Sequence, residues 1–241
     1  MRALLLAAGT GSRLRPLTDT TPKCLVPVHG RPLLDYWLDL VFNGGIERAL
    51  LNTHWLAEKV RSHIAASPWR SRIDLVHEDQ LLGTGGTVLS NRDWFSNEAF
   101  LVAHADNLTD FDAAALITAH GKRPAGCVMT MLAFRTDDPS SCGILDLDQA
   151  NRVIAFHEKV KNPPGNLANG AVYIFEPDVI EDIARLGKAT VDLSTEIIPN
   201  YLGRILAVET SAYHRDIGNP ESLRRAQAEF RRKPAHANHL A

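Results

Sequence analysis

Apolar runs of strand length alternate with helix-period stripes through the first half of the chain, the rhythm of a mainly parallel sheet covered by helices. Ala3 to Ala8 is a continuous apolar run, too short for a secretory leader and broken at once by glycines, so it predicts a buried first strand near 2–8. Further strands are predicted near 47–53, 73–77 and 99–104, with helices near 32–43, 55–66, 84–91 and 110–120. Pro32 stands where a first helical turn tolerates proline. Leu33, Leu34, Trp37, Leu38, Val41 and Phe42 then form one apolar stripe.

After about residue 125 the runs shorten and turn residues crowd between them. Cys127 to Phe134, Gly143 to Leu147, Arg152 to His157 and Ala171 to Phe175 predict a mixed or antiparallel continuation of the sheet. Helices near 177–186 and 194–201 follow, then strands near 204–209 and 213–217. The last helix opens at Asn219-Pro220-Glu221, a cap, a first-turn proline and an early acid, and extends to about Arg232. The pattern describes one domain over 1–232 and a flexible tail over 233–241.

With 241 residues, 45% of them apolar and 22% charged, the chain has the balance of an enzyme-sized globular domain and not of a disordered or fibrous one. A net charge of -2 supplies no global field to recruit nucleic acid. No stretch approaches the roughly 18 apolar residues of a membrane span. Cys24, Cys127 and Cys142 share no metal-ligand spacing, which argues against a disulfide framework or zinc site and suits a reducing cytoplasm. His54, His77, His104, His157 and His214 also lack ligand spacing and read as structural or rim residues. Charge is uneven locally: residues 1–31 carry Arg2, Arg13, Arg15, Lys23 and Arg31 against the single acid Asp19, a concentration suited to a small polyanion.

Gly9-Thr10-Gly11-Ser12-Arg13 directly follows the first strand, where glycines let backbone N–H groups approach phosphate oxygens. Two familiar phosphate motifs do not fit it. The dinucleotide fingerprint needs a third glycine where Leu14 stands, and Pro16 stops the helix that would receive the pyrophosphate. The Walker pattern G-x-x-x-x-G-K-[ST] is absent. What remains is a glycine loop with Arg13 and, shortly after, Pro22-Lys23. Such cations suit nucleotidyl transfer, which must spread charge over the α-phosphoryl oxygens and the departing pyrophosphate.

Leu6-Ala7-Ala8-Gly9-Thr10-Gly11-Ser12-Arg13-Leu14-Arg15-Pro16-Leu17-Thr18, with Pro22-Lys23 and Leu25-Val26-Pro27-Val28, closely resembles the signature of the sugar-1-phosphate nucleotidyltransferases, the NDP-sugar pyrophosphorylases. The resemblance continues through Leu82-Gly83-Thr84-Gly85-Gly86, His104-Ala105-Asp106, Glu158-Lys159, Asn169 to Tyr173 and Asp216-Ile217-Gly218. It implies an α/β fold: a Rossmann-like nucleotide-diphospho-sugar transferase sandwich, its central mostly parallel mixed sheet flanked by helices, without the β-helix domain of some members.

It also implies the chemistry. A sugar 1-phosphate attacks the α-phosphorus of a nucleoside triphosphate and expels pyrophosphate. Leu6, Ala8, Gly9, Thr10, Gly11 and Ser12 would hold the nucleotide, Arg13 would face the leaving pyrophosphate, and Lys23 would neutralise the α-phosphoryl group. Asp106 and Asp216 would hold Mg²⁺. Glu78, Gly83 and Thr84 would meet the nucleoside, while Asn107, Glu158, Lys159 and Asn169 would bind the sugar phosphate. A carboxylate at Glu78 can accept two parallel bonds from guanine, which favours GTP over UTP. Asn52 to Glu58 and Asn166 to Asn169 are similar to mannose-1-phosphate guanylyltransferases, and Asp216 to Ser222 to heptose-1-phosphate guanylyltransferases.

Three positions depart from the family pattern: Ala105 in place of glycine, Val160 in place of proline, and Gly170-Ala171 in inverted order. Uridylyl transfer within the same family stays open. So do a catalytically silent sensor of nucleotide and sugar phosphate and a nucleotide-sugar-dependent glycosyltransferase. Asp146-Leu147-Asp148 matches the Asp-x-Asp pattern of the last class but reads as a turn. Lys23 is expected to matter to the chemistry and little to folding.

Overall fold

The computed structural model describes residues 1–231, so the predicted tail and the last residue of the expected domain lie outside the described residues. The chain opens with β1 (Arg2–Leu6), the short α1 (Leu17–Thr20) and a ribbon of β2 (Pro27–Val28) and β3 (Arg31–Pro32) leading into α2 (Leu33–Asn43). There follow β4 (Arg48–Thr53), α3 (Ala57–Ala66), β5 (Ile73–His77), α4 (Gly83–Ser90), β6 (Phe100–His104), β7 (Asn107–Thr109) and α5 (Ala113–Gly121). The second half contributes β8 (Met129–Arg135), β9 (Gly143–Leu147), β10 (Val153–Glu158) and β11 (Leu167–Phe175). It ends with α6 (Asp178–Arg185), β12 (Ile205–Thr210), β13 (His214–Asp216) and α7 (Pro220–Glu229).

The main sheet runs β10-β9-β11-β6-β1-β4-β5, with β8 and β12 continuing from β11. β6, β1, β4 and β5 are mutually parallel, whereas β11 runs antiparallel to β6, β8 and β9. The change of rhythm near residue 125 therefore marks the change from parallel to mixed pairing.

Both faces of this sheet are covered, which is why its central strands carry continuous apolar runs, Ala3 to Leu6, Ala49 to Leu51 and Phe100 to Ala103. Ala3 and Leu5 of β1 share one buried cluster with Leu101, Ala103 and the stripe Leu34, Trp37, Leu38 and Val41 of α2. Leu4 joins a second cluster with Phe100, Val102, Tyr173 and Phe175 of the sheet, Val88 of α4, and Ile180 and Ile183 of α6. Each such side chain contributes about 1.5–3 kcal/mol when fully buried.

Three local differences from the predicted elements have physical causes. The helix expected near 194–201 is a π turn, Leu193–Ile197, followed by a 3₁₀ turn, Ile198–Tyr201, because Pro199 cannot donate the α-helical backbone bond there. The helix expected from 110 starts at Ala113, where the Asp112 carboxylate accepts from the Ala115 N–H (2.9 Å). The strand expected at 171–175 begins at Leu167 and carries an irregularity between Asn169 and Tyr173.

At that irregularity Ala171 takes φ +52°, a left-handed conformation that costs an L-residue about 1–2 kcal/mol, and its N–H closes onto the Asn169 side-chain oxygen (2.9 Å). The inverted Gly170-Ala171 order thus puts alanine where glycine is cheaper. Ala171→Gly is expected to leave the fold unchanged and raise stability by up to about 1 kcal/mol, net of glycine's unfolded-state entropy. Urea denaturation of both proteins measures this; a destabilised variant would refute the strain.

Candidate active site

The site gathers at the carboxyl ends of the parallel strands, where open α/β sheets receive ligands. β1 ends at Leu6 and β6 at His104, and the Ala105 N–H donates to the Leu6 carbonyl (3.0 Å), aligning the two exits. From β1 the glycine loop turns back on itself. Gly11 adopts φ +63°, and a Cβ there would stand 2.8 Å from Thr18 Cγ2, so glycine is required on two counts. Thr18 Oγ1 donates to the Gly11 carbonyl (2.7 Å) and fixes the turn. A Cβ on Gly9 would meet nothing within 4 Å, so that glycine leaves its face of the loop clear.

β7 starts immediately after Asp106 and pairs antiparallel with β13, setting Asn107 opposite Asp216. This small ribbon brings the two aspartates together. Lys23 is buried between them, its Nζ 2.7 Å from Asp106 Oδ2 and 3.0 Å from Asp216 Oδ1. Burial alone would depress the Lys23 pKa; the two carboxylates outweigh it and raise it. Burial likewise opposes ionisation of Asp106, but the Lys23 charge prevails and holds its carboxyl below the usual range. An Arg13 guanidinium nitrogen lies 3.6 Å from Asp216 Oδ2. A Cβ on Gly218 would lie 2.8 Å from both the Arg13 guanidinium and the Asp216 carboxylate, so this glycine sits directly beside their contact.

A cavity of about 890 Å³ opens beside this cluster, lined by Arg13, Asp106, Asn107, Glu158, Lys159, Asn169 and Asp216 among others. The Lys159 ammonium lies 3.3 Å from Glu158 Oε1, and Gly143 opposite is required because a Cβ would strike the Phe156 ring and Glu158. Asn169 donates to the Tyr173 hydroxyl (2.7 Å), so its amide is oriented from behind. The residues expected for phosphate and sugar thus share one space with the aspartate pair.

Residues expected to meet the nucleoside lie in and before α4. Gly83 takes φ +72° with a would-be Cβ 2.5 Å from the Val191 carbonyl, and the Thr84 hydroxyl accepts from the Leu193 N–H (2.7 Å). These features pack α4 against the segment before the π turn. Glu78 is not an open carboxylate: it is buried and takes donors from Asn52, Thr87 and Leu82. Asn52, a buried amide that follows the apolar run Ala49 to Leu51 in β4, and Thr87 are the polar partners that motif reading passed over.

His104, read as a structural or rim residue, lines the cavity, and its buried Nε2 has no hydrogen-bond partner among the described residues. Asp146 pairs with His157 (3.0 Å) and Asp148 accepts from the N–H groups of Ala150 and Arg152, so the Asp-x-Asp segment caps the β9–β10 turn. Cys24 is buried and its thiol is pushed up to about 12 by that burial, as suits a packing residue. No helix among the described residues is long and apolar enough to cross a membrane.

His214 sits two residues before Asp216, Nδ1 3.1 Å from Thr109 Oγ1 and its ring against Phe134 (4.3 Å between centroids). Burial depresses its pKa to about 4, against about 6.5 unfolded. Below about pH 6.5 the unfolded chain therefore binds the extra proton, and the stability His214 contributes when neutral is lost as pH falls toward 4. His214→Gln is expected to show a flatter fall in melting temperature between pH 7.5 and 4.5. Parallel wild-type and variant curves would clear His214 of this role.

The chain belongs to the nucleotidyl transferase family, whose profile matches residues 2–233. It is 32% identical over 233 residues to a mannose-1-phosphate guanylyltransferase of Mycobacterium tuberculosis, a match covering 95% of this chain and 64% of that protein. The chain thus spans a little under two thirds of the length of the curated relatives it matches. A putative glucose-1-phosphate thymidylyltransferase from Bacillus anthracis, solved in complex with a sucrose, shares the fold with TM-score 0.86 and 24% identity, over 97% of this chain and 98% of that one. HddC from Yersinia pseudotuberculosis, complexed with GMP-PN, superposes with TM-score 0.79 at 26% identity, over 95% of this chain and 99% of that one. The fold is accordingly the Rossmann-like sandwich expected, with its mostly parallel central sheet. The names of these proteins disagree on base and on sugar.

Proposed function

We propose that the chain is a nucleotidyltransferase that joins a sugar 1-phosphate to a nucleoside triphosphate, with GTP and mannose 1-phosphate the first pair to try. The observation that carries this reading is the Lys23 ammonium held between Asp106 and Asp216 where the glycine loop meets the cavity. A phosphate oxygen of the sugar 1-phosphate forms the new bond to the α-phosphorus as the bond from that phosphorus to the bridging oxygen breaks, and pyrophosphate leaves with the electron pair. Backbone N–H groups of Gly9 to Ser12 cradle the triphosphate, with Leu6 and Ala8 at its base. Lys23 neutralises the α-phosphoryl oxygens, Arg13 the departing pyrophosphate, and Lys159 the phosphate of the sugar. Glu158, Asn107 and Asn169 orient hydroxyls.

Two carboxylates within reach of one ammonium suit Mg²⁺, which takes one or two carboxylates and otherwise keeps water and phosphate oxygens. Among the described residues no larger cluster of ligating side chains competes for it. When bound by Asp106 and Asp216, the ion would supply further positive charge at the phosphoryl oxygens.

Guanylyl transfer is supported by the name of the Mycobacterium tuberculosis relative and by the GMP-PN bound to HddC. The test is pyrophosphate release with GTP, UTP, dTTP and CTP, each against a panel of sugar 1-phosphates. UTP or dTTP outrunning GTP would move the chain to another base. Release of nucleoside diphosphate from a nucleotide sugar would point to a glycosyltransferase, and tight nucleotide binding without turnover to a sensor.

A further inference from the structure

One wall of the cavity carries a hydrogen-bonding group that the chain itself leaves unused. His104 closes β6 and lines the cavity with Asp106, Asn169, Ala171 and Ser194. Its Nε2 is shut off from solvent and, among the described residues, is the one buried side-chain nitrogen or oxygen without a hydrogen-bond partner. Buried polar groups are nearly always paired, so an orphan in a cavity wall points to a partner that arrives from outside.

The backbone fixes the ring's place from both sides. On one side His104 pairs with Leu6 at the end of β1, where the glycine loop begins. On the other, the antiparallel ladder of β6 with β11 runs from Phe100 and Phe175 to Ala103 and Val172 and stops there. The next pair would be His104 and Ala171, but Ala171 turns left-handed (φ +52°) and leaves the ladder, which interrupts the sheet beside the imidazole. Neighbouring polar groups are engaged elsewhere: Asn169 Nδ2 donates to the Tyr173 hydroxyl (2.7 Å) and Asn169 Oδ1 accepts from the Ala171 N–H (2.9 Å). The Tyr173 ring meets His104 edge-on, 6.5 Å between centroids.

We infer that His104 is a specificity-determining residue for the glycosyl group, its imidazole exchanging a hydrogen bond with one hydroxyl of the bound sugar 1-phosphate. The ring torsion of histidine is soft, so a turn of the imidazole as the ligand seats presents Nε2 to the cavity. This rests on the proposed reading of the cavity as the sugar 1-phosphate site. An unpaired buried nitrogen costs the ligand-free fold stability, so an apolar side chain of similar size fits there without harm to folding.

The experiment uses the full chain, the best nucleotide and sugar 1-phosphate from the pyrophosphate-release panel, and analogues of that sugar 1-phosphate each lacking one hydroxyl. kcat/KM is measured for wild type, His104→Leu and His104→Gln, whose amide reaches toward the Nε2 position. In wild type one analogue is expected to fall about tenfold further than the rest. His104→Leu loses about the same factor with the parent sugar and nothing more with that one analogue, whereas with every other analogue it loses the full factor. His104→Gln recovers part of the loss. KM for the nucleotide stays as in wild type, and His104→Leu melts at or above the wild-type temperature.

A loss in His104→Leu that is equal for the parent and every analogue would overturn the inference and leave the ring a packing role, as would wild-type kcat/KM throughout. A marked fall in melting temperature would show the imidazole to be needed by the fold and overturn it too. Wild type that binds nucleotide in a calorimeter but releases pyrophosphate with no sugar 1-phosphate would instead remove the sugar site itself, and the role of His104 with it.

Discussion

Lys23→Ala is expected to lower kcat by about 10²–10³ at saturating substrates, with KM for the nucleotide changed far less. A donor aimed at developing charge is worth about 2.7–4 kcal/mol in the transition state. Steady-state pyrophosphate release measures both constants, and a kcat within a factor of about two of wild type would take Lys23 out of the chemistry. Motif reading expects little effect on folding; burial corrects that. Lys23 is 6% exposed and is the shared partner of two carboxylates, so its removal leaves Asp106 and Asp216 facing each other across a gap. Breaking a buried pair costs roughly 3–5 kcal/mol, and the exposure of both aspartates reduces this figure. The variant should therefore melt lower, and Mg²⁺ should restore more melting temperature to it than to wild type.

Asp216→Asn is expected to raise the Mg²⁺ concentration for half-maximal activity on the order of 10–100-fold, with part of the lost rate recovered at high Mg²⁺. The amide keeps the shape but withdraws one of the two negative charges that converge on Lys23, and it weakens the contact with Arg13. A metal titration superimposable on wild type would discard Asp216 as a ligand. Asp106→Asn should behave in the same direction. It should lose more at saturating metal, because Asp106 holds the shorter contact to Lys23.

The loop geometry around the candidate site was legible because glycine positions answer to local backbone conformation. The Gly11 turn, the strand ends at Leu6 and His104, and the order of Arg13, Lys23, Asp106 and Asp216 follow from short segments. That the two aspartates meet on Lys23 follows from the pairing of β7 with β13, a contact between distant segments that no local pattern encodes. The surroundings of the second glycine segment were not legible for the same reason: Gly83 also accommodates Val191, a neighbour more than a hundred residues away in the chain. Glu78 looks like a free carboxylate until Asn52 and Thr87 are brought against it. One signal was available: Asn52 follows the apolar run Ala49 to Leu51 within β4, and a buried amide in that place must be hydrogen-bonded to something.

The ribbon of β7 and β13 also bears on when the candidate site is assembled during synthesis. Asp106 leaves the ribosome with the parallel half of the sheet, but the strand that pairs with β7 follows more than a hundred residues later. Until β13 docks, Lys23 has one carboxylate in place of two and Arg13 lacks its anchor. The first strands can thus form before the two aspartates converge on Lys23, so that the candidate site is complete only once these two distant segments have met.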